Sequence, residues 1–137
     1  MKPKMLFVDD RTKRIHYALE EYGKEYDVTI ATCVPEALRA LCSQEWDIVS
    51  LDHDLNGHDF QDPDSTGCGM EIVRYIVKTG GWNLPYKIPK FRVHSKNLFA
   101  AHLMYAEFSK IGIPMIGITI KYPDNNMKYD KEGLPIK

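Results

Sequence analysis

The feature that most constrains the fold of this chain is a repeated switch in hydrophobic period. Short apolar runs alternate with stretches whose apolar residues return every three or four positions. Met5–Val8 is the first such run. From Thr12 to Tyr22, the residues Ile15, Ala18, Leu19 and Tyr22 fall at helical spacing, and Gly23 stops the pattern. Tyr26–Ala31 alternates and is β-branched, which predicts a strand. Val34–Ser43 carries Pro35 near a helix start and Ala37, Leu38 and Leu41 on one face. Ile48–Leu51 predicts a third strand. A long loop, "HDLNGHDFQDPDST", follows it. Met70, Val73, Ile76 and Val77 then mark a helix closed by Gly80-Gly81. Phe91–His94, Leu98–Ile111 and Met115–Ile120 predict a strand, a helix and a fifth strand. An order of β-α-β-α-β-α-β-α-β favours an α/β fold: a parallel sheet covered by helices on both faces, with right-handed crossovers.

Length and charge narrow the function. The 137 residues suit a single domain, 1–137. A net charge of -1 gives no bulk attraction for nucleic acid or an anionic membrane. Lys87, Lys90, Arg92 and Lys96 are only mildly basic and mostly enter the fourth strand from the end away from the rim, so no extended nucleic-acid track is expected. There is no membrane-length apolar run, and the amino terminus has too short an apolar stretch for a signal peptide. Cys33, Cys42 and Cys68 form no CxxC pair and fit free thiols in a reducing cytoplasm. After Lys121 the chain is polar and broken by Pro and Gly. Residues 122–137 are therefore expected to be an irregular or hairpin tail, with the last helix missing. A sheet left uncovered there would make a homodimer plausible.

In parallel sheets of this kind, ligands sit beyond the carboxyl ends of the strands. The residues at those ends are Asp9-Asp10, Asp52-His53-Asp54, His94-Ser95 and Lys121. Asp9, Asp10 and Asp52 are hard oxygen donors from different strands, and gathered carboxylates repel one another unless a cation offsets them. Magnesium suits such a set, with manganese as the alternative. Ser95 and Lys121 offer a hydroxyl and an ammonium to phosphoryl oxygens, and Asn97 stands where the next helix begins, so that Ser95 or Asn97 is equally a helix cap. A small phosphate-containing ligand or nucleotide is the expected partner.

These strand-end residues resemble a response-regulator receiver domain. The resemblance covers about residues 4–121, at the level of pattern. It implies a flavodoxin-like three-layer fold with a five-stranded sheet in the order 2-1-3-4-5. It also implies Asp9 and Asp10 as metal ligands, Asp52 as phospho-acceptor, Ser95 as the hydroxyl and Lys121 as the phosphate-contacting base. Tyr122 separates Lys121 from Pro123, and the loop after Asp52 is long and carries His58-Asp59, unlike ordinary receivers. The segment "LDHDL" at Leu51–Leu55 and His94 before Ser95 are similar to a receiver-like group proposed to process cyclic phosphates.

That second likeness implies a metal-dependent phosphoesterase acting on a cyclic phosphate or a nucleotide-derived phosphodiester. Catalysis would be carried by Asp52, His53, Asp54, His94 and Lys121, with Ser95, Asn97 and Lys121 binding substrate. The histidines supply what phosphodiester hydrolysis needs, a proton donor or acceptor near neutral pH. The alternatives are a signalling module phosphorylated on Asp52 and a nucleotide-binding module without chemistry. His94 could also simply pack at a strand end. Among the aromatic residues, Trp46 is expected in the core, whereas Trp82 and Phe60 are expected at the surface.

Overall fold

A computed structural model describes residues 2–55, 62–95, 97–113 and 115–118. His58, Asp59, Phe60, Lys96, Lys121, the tail and the question of a last helix all lie outside the described residues. The elements alternate as the hydrophobic periods require. They are β1 (Lys4–Val8), α1 (Thr12–Glu21), β2 (Asp27–Ala31), α2 (Val34–Ser43), β3 (Ile48–Leu51), α3 (Gly69–Lys78), β4 (Lys90–Val93), α4 (Leu98–Lys110) and β5 (Met115–Ile118). All neighbouring strands pair in parallel, in the order β2-β1-β3-β4-β5.

Side-chain parity divides the sheet between two cores. Leu6, Val8, Val49, Leu51, Phe91 and Val93 pack with residues of α2, α3 and α4. Met5, Phe7 and Ile48 form a smaller cluster with Ala18 of α1. Trp46 is buried in the larger core, as expected, and its indole N–H donates to the Ala40 carbonyl at 2.9 Å. Trp82 departs from the expectation of an exposed aromatic. It is half-buried, meets Phe91 edge-on at 6.1 Å, and donates to the Tyr86 carbonyl at 2.8 Å. The long β4 approach folds back onto the core, tied by the indole and by Tyr86 and Lys87, whose side chains reach the Ser43 carbonyl and the Asp47 carboxylate.

Helix α1 is rotated from its expected apolar face. Its buried residues are Arg14 and Ala18, while Leu19 is 47% exposed. The cause lies at the sheet's rim, where Arg14 has partners that outweigh burial of a leucine.

Register levels the carboxyl ends of the central strands. Val8 lies opposite Ala31 and Leu51, and Leu51 opposite Val93. The backbone ladder runs one residue further, with Asp9 N–H donating to Ala31, Asp52 N–H to Val8, and His94 N–H to Leu51 at 2.9–3.0 Å. Three titratable residues are thereby fixed side by side by main-chain bonds.

Candidate functional site: an acidic rim at the strand ends

Asp9, Asp52 and His94 follow Phe7, Ser50 and Arg92 at the period of a strand, so all three belong to the α1 side of the sheet. There they meet Arg14. Its guanidinium lies 3.1 Å from Asp52 Oδ2 and 3.5 Å from Asp9 Oδ2. Both carboxylates are buried, at 0% and 1% exposure, and the arginine side chain is 9% exposed. The second oxygen of each is also engaged. Asp9 Oδ1 accepts from the Arg11 N–H at 2.9 Å, and Asp52 Oδ1 from the His53 N–H at 2.8 Å.

The two carboxyls titrate in opposite directions. Burial pushes Asp9 up, but the hydrogen bond and charge of His94, with Arg14 behind them, bring it below the ordinary carboxylate value. Burial raises Asp52 well above that value, and the neighbouring Asp9 and Asp54 raise it further against the pull of Arg14. One guanidinium thus offsets only part of the gathered charge. Asp9, Asp10 and Asp52 each bring an oxygen into a group spanning 4.8 Å. This hard-oxygen donor set, with its residual negative charge, fits a divalent cation such as Mg2+ or Mn2+.

His94 is fully buried and stacked on Phe7 with ring centroids 4.3 Å apart. Its Nε2 lies 3.0 Å from Asp9 Oδ2 and its Nδ1 2.7 Å from Ser50 Oγ. Ser50 Oγ in turn accepts from Arg92 Nε at 3.2 Å. Burial holds His94 below the ordinary histidine value despite Asp9. At neutral pH it is therefore a neutral ring fixed behind Asp9, and the charge that lowers Asp9 arises only as the ring is protonated in acid.

On the other side of Asp52, His53 Nδ1 lies 3.0 Å from Asp54 Oδ1, which also accepts from Asn97 Nδ2 at 3.2 Å. Burial disfavours the charged His53 ring. Asp54 and the Cys68 sulfur outweigh it and raise the histidine to about 9. Cys68 moves the other way, with burial opposed by His53, and falls to about 7. Asn97 caps α4 through its Oδ1, which accepts from the Ala100 N–H at 3.2 Å. Ser95 Oγ accepts from the Asn97 N–H at 3.1 Å. Thus both residues serve the helix start, and Asn97 reaches the acidic cluster as well.

The amino terminus of α3 closes the floor. Gly69 N–H donates to the His53 carbonyl at 2.7 Å, and the helix start presses on the Asp52–His53 backbone so closely that a Cβ at Gly69 would collide with the Asp52 carbonyl oxygen.

The structure gathers Asp9, Asp10, Asp52, His53, Asp54, His94, Ser95 and Asn97 at one rim, whereas Lys121 lies outside the described residues. Sequence reasoning passed over Arg14 and Ser50. Arg14 carries a faint signal, being one helical turn before the buried Ala18. Ser50 carries another, as the polar member of an otherwise apolar strand.

The family model described as "Cyclic-phosphate processing Receiver domain" matches residues 4–110. A search of curated proteins returns no match. Among solved structures, a CheY-like receiver domain from Methylobacillus flagellatus is 15% identical with a TM-score of 0.62, over 87% of this chain and 86% of that one. TrrA of Thermotoga maritima, a response regulator determined with Mg(2+)-BeF, is 21% identical with a TM-score of 0.58, over 92% and 90%. A Burkholderia pseudomallei response regulator, determined with a phosphorylated aspartic acid, a calcium ion and citrate, is 15% identical with a TM-score of 0.58, over 86% of this chain and 59% of that one. At these identities the structural likeness is one of fold.

Proposed function

The chain belongs to the cyclic-phosphate processing receiver family, and on that premise we propose that its rim takes a divalent cation with a phosphate group and that Asp52 accepts the phosphoryl group. The observation that carries this reading is the convergence of Asp9, Asp10 and Asp52 at the level ends of adjacent strands. The receivers that share the fold support phospho-acceptance over hydrolysis. One carries a phosphorylated aspartic acid and another was determined with Mg(2+)-BeF.

Asp9, Asp10 and Asp52 would hold the cation, which when bound neutralises charge on the phosphoryl oxygens. His94 and the Arg11 amide keep Asp9 oriented and ionised. An Asp52 oxygen attacks phosphorus. As the new O–P bond forms, the bond from phosphorus to the donor's leaving group breaks, and the leaving group departs with the electron pair and takes a proton from water. Ser95 and Lys121 are assigned to the phosphoryl oxygens.

A second reading, hydrolysis of a cyclic phosphate, is favoured by one observation. A buried His53–Asp54–Asn97 cluster adjoins Asp52, and phospho-acceptance does not require it. In this reading water adds to phosphorus, the ring P–O bond breaks, the leaving oxygen takes a proton from His53, and the proton that the attacking water gives up passes to solvent, from which His53 is protonated again.

Intact mass after treatment with a small phosphodonor and Mg2+ separates the two. One phosphate per chain, lost slowly and absent from Asp52→Asn, supports the acceptor. Multiple turnover of a cyclic nucleotide with Mg2+ or Mn2+, without an adduct, selects hydrolysis. Neither adduct nor turnover would overturn both.

A further inference from the structure

Asp9 and Asp52 do not face each other across an empty gap: Arg14 spans them, 3.5 Å from one and 3.1 Å from the other. The oxygen it holds most closely, Asp52 Oδ2, belongs to the carboxylate that a cation shared with Asp9 and Asp10 must also use. Asp52 Oδ1 is already committed to the His53 amide. A guanidinium with its positive charge at hydrogen-bond distance from both carboxylates repels an arriving divalent ion and occupies its ligands. The side chain is anchored for this task. Arg14 stands in the first turns of α1, one turn before Ala18, which packs against Phe7 and Met5.

We propose that Arg14 is the built-in counter-cation of the rim and competes with the divalent ion, so that cation uptake requires its guanidinium to leave Asp52. This rests on the cation reading above and adds a residue that sets the site's affinity. The rim is then a two-state device. Without the ion, α1 is tied to β1 and β3 through Arg14. With it, the carboxylates turn to the ion and the arginine is released towards whatever anion the ion brings.

The test is Mn2+ binding by calorimetry and electron paramagnetic resonance on wild type, Arg14→Met and Arg14→Lys, each first stripped with chelator. Arg14→Met is expected to bind Mn2+ roughly tenfold more tightly, the scale on which neighbours of ligating carboxylates tune metal sites. Stripped of metal it is expected to melt lower than wild type, and Mn2+ should raise its melting temperature by more than it raises that of wild type. Arg14→Lys keeps the charge but not the rigid planar guanidinium whose Nη1 reaches both carboxylates. It should fall between the two, and it carries the test if the methionine variant does not fold. Equal or weaker Mn2+ affinity in the folded variants, with wild type binding normally, would overturn the role of Arg14 alone. No uptake by any of the proteins would overturn the cation reading and this inference with it.

Discussion

Ser50 Oγ and His94 Nδ1 lie 2.7 Å apart, joining β3 to the end of β4 beneath the acidic rim. The direction of that bond follows from its neighbours. An ionised Asp9 only accepts, so the His94 Nε2 facing it carries the proton. Burial keeps the ring neutral, which leaves Nδ1 bare. Arg92 Nε can only donate to Ser50 Oγ, so the serine's own proton points to His94. Asp9 thus fixes the tautomer of His94, and Ser50, turned by Arg92, supplies the proton that Nδ1 accepts. Ser50→Ala takes that donor from a buried Nδ1, which should move the Nδ1 chemical shift, loosen the ring behind Asp9 and weaken Mn2+ binding about tenfold. Unchanged shifts would show that the serine only fills space.

Asp52 is buried beside a second carboxylate with one arginine shared between them. Removing its charge relieves repulsion while an asparagine oxygen can still accept from Arg14. In chelator, Asp52→Asn should melt roughly 5 °C above wild type. The same variant should lose the melting increase that Mn2+ gives wild type. A lower melting temperature would mean that the carboxylate's ion pair outweighs its repulsion.

The pH dependence of that difference has a defined sign. Because the folded value of Asp52 lies above the ordinary 3.8, its contribution to stability is fully present below 3.8 and is lost as pH rises through the folded value. His94, held below 6.5, runs the other way, with its contribution present above 6.5 and lost as pH falls through its folded value. Since both proteins keep His94, their difference isolates Asp52. The advantage of Asp52→Asn over wild type in chelator should be largest at neutral pH and shrink on acidification. A gap that stays constant with pH would contradict a raised Asp52.

Gly69 is where helix α3 touches the site. A methyl group there would meet the Asp52 carbonyl oxygen and come within 2.9 Å of the His53 Cα, both of them backbone. Gly69→Ala should therefore cost about 3 kcal/mol, the upper end of what overpacking ordinarily costs, and should displace the Asp52–His53 peptide. Denaturant unfolding measures the first and Mn2+ titration the second. Gly23→Ala, where nothing lies within 4 Å, is the matched control and should change neither.

Most of the architecture was legible from residue order. Period two at Tyr26–Ala31 and period 3.6 at Val34–Ser43 each specify one element, and alternation of such elements admits few ways to bury both faces of a sheet. The acidic ends of β1 and β3 could be picked out because charges directly after buried strands are costly without a purpose. Arg14 was not legible. Periodicity assigns a helix face by its apolar residues, and a buried arginine contradicts that rule until its partners from β1 and β3 are in place. The surface expected for Trp82 failed similarly, since its burial depends on how the loop before β4 folds back onto Phe91.

What the sequence by itself determined was the kind of sheet, its helices, and the set of carboxylates and histidines at the strand ends, because these depend on local periodicity and on residue type. What only the tertiary structure decided was who partners whom. Register placed Asp9, Asp52 and His94 level and on one side of the sheet, and the rotation of α1 brought Arg14 between the two carboxylates. The physical reason is that electrostatic and hydrogen-bond energies depend on separations of a few ångströms between residues dozens of positions apart. Those separations do not exist until the chain has packed.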